Sequence, residues 1–139
     1  MTFEELITRF LDRSLPHAQW THAAHLRVGA WHVRRYGSEQ ALEKLRTRIR
    51  ALNDAHGTAN NDASGYHETV TAAYVRLITQ FLATCGTEEP LECSVDRLIG
   101  SAAGDRDLLL RFWSKETLMS PVARRSWVEP DLAPLELPA

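Results

Sequence analysis

The chain has 139 residues, 44% of them hydrophobic and 24% charged, which is the composition of an ordinary globular protein. Its formal net charge is −2, so no strong field attracts nucleic acid or an anionic membrane, and neither is an expected partner. No segment has the length of a membrane span, and the amphipathic start lacks the features of a signal peptide. We therefore expect one cytoplasmic domain over residues 1–139.

Helical periodicity dominates the chain, and β-branched runs bounded by turns are absent. Cap signals at Thr2, Thr21 and Ser38 predict the first three helices, over 2–14, 22–36 and 38–56. A small, polar loop is predicted over 57–65. Ser64 then caps a fourth predicted helix, over 65–84.

The sequence after residue 84 predicts shorter elements. Weaker helices are expected over 95–99 and 105–113, and Ser114 and Ser120 are further cap signatures. The proline-rich tail is expected to be an extended strap over the core. The fold class is therefore an all-α bundle of four main helices, with short C-terminal helices and that tail.

Basic residues occur in short runs, of which Arg34-Arg35, 46–50 and Arg124-Arg125 are the clearest. Each run is interleaved with apolar or acidic residues. We interpret these runs as solvent-exposed helix faces, and charge therefore favours no particular partner.

Four of the six histidines lie between His17 and Gly37. Projected at about 100° per residue, three of them share the buried arc of the second helix, because the arginines occupy the opposite side. These three are His22, His25 and His32. Gly29 lies between them and leaves space for another backbone or for a ligand.

The same projection of the fourth helix places His67 well inside its apolar arc and Glu68 at the edge. His22 and His25, three residues apart, can reach one metal ion, and His67 would complete a three-histidine face. Glu68 would be a fourth ligand or a general base. Such a site leaves a position open for water or substrate, and zinc, iron, copper, nickel and manganese all suit it.

Further residues are assigned to a substrate pocket beside this site. Trp20 and Tyr74 are expected to line it, and Gly29 to give it room. His32 is either a pocket wall or a satisfied core histidine. The loop over 57–65 is expected to close the pocket.

Three functions follow from these expectations. The first is a small metal-dependent enzyme, a hydrolase or oxidoreductase that acts on a small molecule. The second is a non-enzymatic module whose histidines and aromatic rings hold a small molecule or a partner helix. The third treats the histidines as pH-responsive core residues of a structural homodimer.

The segments "WTHAAHL", "SGYHET" and "SWVEPDLAPL" together resemble a pattern in small bacterial proteins to which no activity is attached. The size of the chain and its use of histidines from different helices are similar to metal-binding bundles of the DinB type. Those bundles use an HxxxH pair, whereas His22 and His25 form an HxxH pair. The resemblance to them implies a metal and a helical bundle, and names no substrate.

Overall fold

The structure is a computed structural model that describes residues 1–138, and every regular element in that range is helical. This confirms the all-α class. The helices are α1 (Phe3–Leu11), α2 (His22–Tyr36), α3 (Ser38–Ala55), α4 (Glu68–Ala83), α5 (Leu91–Ile99), α6 (Lys115–Leu118) and α7 (Pro121–Arg125). Short 3₁₀ turns lie at His17–Gln19, Ala102–Gly104 and Leu108–Arg111. Of the helices between residues 1 and 138, none combines the length and the apolar character that crossing a membrane requires.

Most helix starts follow from local capping chemistry. The Thr2 and Thr21 hydroxyls accept the backbone N–H groups of Glu5 and Ala24, as the sequence predicts. Ser114 and Ser120 cap α6 and α7 in the same way. For α3 the cap is Gly37, and Ser38 is already helical.

Helix α2 lies at the centre of the fold, where it contacts α1, α3, α4 and α5. Gly29 permits the close approach of α4, since a Cβ atom at this position would lie 2.9 Å from Cδ1 of Ile78. The space that the sequence left open beside Gly29 is therefore partly filled by a side chain of the core. The largest fully buried side chains include Phe10, Leu26, Leu52, Leu77, Ile78, Leu98 and Trp113.

Helix α4 starts at Glu68, three residues later than predicted, and His67 is its N-cap. Ser64 does not cap this helix, because its hydroxyl donates to the Ala59 carbonyl within the preceding loop. Gly65 has φ +79°, and a Cβ atom there would collide with the backbone of Asn60. The loop thus ends in a left-handed turn where the sequence predicted helix.

The C-terminal part is more irregular than predicted. Only Leu108–Arg111 of the expected helix over 105–113 is regular, as a 3₁₀ turn. The described residues after α7 form no regular element and are tied to the preceding segment: the Trp113 indole donates to the Val128 carbonyl at 2.9 Å, and the Leu132 amide to Phe112 at 2.9 Å. Trp127, Ala133, Leu135 and Leu137 pack against the core.

Candidate functional site

A cavity of about 630 Å³ lies between α2 and α4, with part of α3 and the segments 106–110 and 115–119 as its remaining walls. This is the size of a small-molecule pocket. Five of the residues predicted for the site line it: Trp20, His22, His25, Gly29 and Tyr74.

His22 is held by the turn at Ala102–Gly104. Its Nε2–H donates to the Ala103 carbonyl at 2.8 Å. A carbonyl oxygen only accepts, so the neutral ring carries its proton on Nε2 and its lone pair on Nδ1. Nδ1 has no hydrogen-bond partner within residues 1–138. The ring also packs edge-on against Tyr74, with 5.3 Å between centroids.

His25 has the opposite tautomer. Its Nδ1–H donates to the Thr21 carbonyl at 2.6 Å, which leaves the lone pair on Nε2. The imidazole stacks on Trp20 with 3.7 Å between ring centroids, and Trp20 in turn stacks on Phe10. His25 is exposed on one side, yet protein atoms crowd the rest of the ring, and this burial together with nearby His22 lowers its pKa.

The two imidazoles therefore form a pair on one face of α2. Backbone carbonyls fix the proton of each ring, and Nδ1 of His22 and Nε2 of His25 remain as acceptors without a protein partner among the described residues. This arrangement can accept hydrogen bonds from a ligand, take up a proton, or bind a metal ion.

His67 does not join this pair, contrary to the prediction. His67 is the N-cap of α4, and its Nδ1 accepts a hydrogen bond from the Val70 amide at 3.1 Å. Its Nε2–H donates to the Leu118 carbonyl at 2.6 Å. Both ring nitrogens are used, and His67 is not among the residues that line the cavity. The helical projection was wrong here because residue 67 precedes the helix. Burial lowers the pKa of His67, which keeps the cap neutral.

Glu68 is not placed as a metal ligand or a general base. Arg46 holds its carboxylate with two hydrogen bonds, at 2.9 and 2.6 Å, and the Tyr66 hydroxyl donates to Oε1 at 2.7 Å. Burial alone would raise the pKa of Glu68, but the hydrogen bonds from Arg46 and Tyr66 outweigh it and lower the pKa. The carboxylate therefore serves as a structural anion between α3 and α4, outside the cavity lining.

Of the two roles expected for His32, the structure supports the satisfied core histidine and not the pocket wall, because His32 is not among the residues that line the cavity. It is fully buried. Its Nδ1–H donates to the Val28 carbonyl at 2.7 Å, and Nε2 accepts a hydrogen bond from Arg48 at 3.0 Å. Burial, reinforced by Arg48 and Lys44, lowers the pKa of His32 to about 4.

Of the three histidines predicted to form a metal centre, only His22 and His25 lie together in the cavity. Across residues 1–138, no group of three or more His, Cys, Asp or Glu side chains is placed to hold a metal ion. His67 and Glu68 do not fit the role assigned to them, because other protein groups occupy their donor atoms. His22 and His25 retain free donor atoms and could supply two ligands.

The sequence missed the groups that form the mouth of the cavity. Arg106, Asp107 and Lys115 line it, as do the exposed apolar side chains of Leu110 and Met119. No periodic signal places residues 106–119 opposite α2, since their only regular elements are a 3₁₀ turn and the four-residue helix α6. The loop over 57–65, predicted to close the pocket, contributes no lining residue.

Tyr74 lines the cavity beside His22. Its hydroxyl is buried and has no hydrogen-bond partner within the described range. Burial, with the nearby carboxylates of Asp105 and Asp107, raises the pKa of Tyr74 to about 12. The phenol therefore stays protonated at neutral pH and has an unused O–H group.

Comparison of the chain with protein-family models, with curated proteins and with solved structures found no match. The functional argument therefore depends on the geometry of the cavity and on the chemistry of the groups that line it.

Proposed function

We propose that the protein binds a small molecule in the α2–α4 cavity, held by hydrogen bonds to His22 and His25. One observation carries this proposal: two imidazoles on one helix face line the same cavity, and in each a backbone carbonyl engages one ring nitrogen while the other has no protein partner among the described residues. In this proposal α1–α4 form the four main helices of the bundle, and residues of α2, α3 and α4 line the cavity. No catalytic step is required.

The walls of the cavity indicate the kind of ligand. Its apolar side chains, which include Leu26, Val75 and Ile78, favour a largely apolar body. Two acceptor nitrogens favour N–H or O–H groups on that body, because an unpaired polar atom in such a site is costly. We therefore propose a ligand with an aromatic or aliphatic body and at least one hydrogen-bond donor.

Matched probes test this proposal. Indole and 1-methylindole share an apolar body, but only indole has an N–H donor. Isothermal titration calorimetry should show indole binding about fivefold more tightly, which corresponds to one net hydrogen bond of about 1 kcal/mol. Ligand-dependent stabilisation in thermal unfolding should follow the same order.

Variants locate the effect. His22→Phe and His25→Phe keep an aromatic ring and remove the acceptor, so one or both should abolish the preference for indole. His17→Phe is the matched control, because His17 is exposed and does not line the cavity. Equal affinity for both probes in the wild type, or a preference that persists in both cavity variants, would refute the proposal.

A second candidate function is metal binding by the same pair. It is favoured by one observation: each imidazole donates its other N–H to a backbone carbonyl, which is how metal-ligating histidines are commonly oriented. Water or a bound molecule would complete the ligand set. The metal, when bound, would act as a Lewis acid for hydrolysis or as a redox centre.

Elemental analysis separates this candidate from the three-histidine hypothesis. A two-histidine site predicts that metal is lost from His22→Ala and His25→Ala but retained by His67→Ala. Loss from all three variants, each confirmed as folded by circular dichroism, would support the three-histidine site. No metal uptake from zinc, iron, copper, nickel or manganese would exclude both.

A further inference from the structure

A second group of polar side chains lies away from the cavity, where the end of α2 faces α3. Three cations surround the ring of Tyr36: Nζ of Lys44 is 4.7 Å from the ring centroid, and Cζ of Arg35 and of Arg48 are each 5.7 Å from it. We call these four residues the Tyr36 cluster. None of them lines the cavity.

No carboxylate of residues 1–138 forms an ion pair within 4.0 Å with this cluster. Within the described residues, the arginines that form ion pairs within 4.0 Å are Arg27, Arg46, Arg97 and Arg125, and all four lie outside it. Three like charges close together repel one another, and the π face of a tyrosine offsets this only in part. An anion bound among them would remove the repulsion.

The cluster is also well ordered by its neighbours. Nη1 of Arg48 donates to Nε2 of His32, a fully buried ring, so the guanidinium is fixed at its inner end. Arg35 lies over Trp31 as well, with its Cζ 5.5 Å from that ring centroid. Such prior ordering reduces the entropy that is lost when a ligand binds.

We propose that the Tyr36 cluster is a binding site for a phosphate group, either free or carried as a monoester. A phosphate monoester has a charge of about −1.5 to −2 at neutral pH, and its oxygens match the paired N–H donors of arginine. Three cations held around one ring suit a dianion better than a carboxylate. The neighbouring Trp31 ring offers an apolar surface for an aromatic group attached to the phosphate.

Calorimetric titration at low ionic strength tests this proposal with two probes, inorganic phosphate and phenyl phosphate. Both should bind the wild type, and added sodium chloride should weaken them. Arg35→Gln and Lys44→Gln should each weaken binding by about fivefold or more. The control is Arg34→Gln, which removes one positive charge from the same helix. Arg34 is not part of the Tyr36 cluster and lies near Glu89, so this variant should bind both probes like the wild type.

The two probes also distinguish the source of the phosphate. Tighter binding of phenyl phosphate indicates a monoester with an apolar group, whereas equal affinities indicate free phosphate. The proposal is overturned if neither probe shows saturable binding, or if Arg34→Gln weakens binding as much as Arg35→Gln. Circular dichroism of each variant confirms that the helices remain intact.

Discussion

His32 should make the protein sensitive to acid, and its replacement by glutamine tests this directly. Burial favours the neutral ring, and its Nε2 accepts a hydrogen bond from Arg48, so protonation would remove that bond and place two cations in contact. Its folded-state pKa is lowered from 6.5 to about 4. The folded protein therefore resists protonation that the unfolded chain accepts freely.

The sign and size of the effect follow from proton linkage. Because the folded pKa is depressed, the contribution to stability is fully present above pH 6.5 and is lost as the pH falls towards 4. With these two values, linkage gives a loss of about 2 kcal/mol at about pH 5 and about 3 kcal/mol at about pH 4. This is a large part of the total stability of a typical domain.

Urea unfolding at a series of pH values measures this loss. The amide of His32→Gln can donate and accept hydrogen bonds but does not titrate, so the variant should lose about 2 kcal/mol less than the wild type between about pH 7.5 and pH 5. The comparison uses the change with pH, since the substitution also alters stability at neutral pH. His17→Gln, at an exposed position, is the control. Equal pH dependence in wild type and His32→Gln would refute the reasoning.

Three further outcomes are expected. Gly29→Ala should lower the free energy of unfolding by about 1 kcal/mol, because its Cβ would press on Cδ1 of Ile78. Adding Ile78→Val to this variant removes Cδ1 and should recover part of the loss in urea titrations. Glu68→Gln should lower the free energy of unfolding by about 1–2 kcal/mol, because it leaves the Arg46 charge unpaired. Adding Arg46→Met should recover stability, and a further loss in the double variant would contradict this. Hydrogen bonds from the cap of α6 lower the pKa of Asp131 to about 2, so its contribution is present above pH 3.8 and is lost as the pH falls to about 2. Thermal melts of Asp131→Asn should therefore differ from wild type at neutral pH and converge with it at about pH 2.

The sequence alone determined the features that depend on residues close together in the chain. Thr2 and Thr21 cap their helices through bonds to groups three residues away, so the start of α2 was predictable. Once α2 was fixed, its periodicity placed His22 and His25 on one face, and both line the cavity, although His25 is exposed rather than buried. That residues 127–138 form no helix followed from their prolines, which cannot continue one.

The tertiary structure decided the rest, because the deciding partners are far away in the sequence. Ser64 has the stronger intrinsic preference for a cap, yet a loop hydrogen bond to Ala59 engages its hydroxyl, and His67 caps α4 while it reaches Leu118. Because α4 starts three residues later than predicted, both ring nitrogens of His67 are engaged and it does not join His22 and His25 as the third ligand of the predicted site.

The role of Glu68 and the residues at the cavity mouth were also decided by partners that are far away in the sequence. Arg46 lies 22 residues before Glu68 and converts it from a candidate base into a structural anion. Arg106 lies outside every regular element and Lys115 begins the short helix α6, and only the tertiary structure brings both residues to the cavity. Local periodicity carries no information about such pairings, since they depend on which surfaces the whole chain brings together when it buries its core.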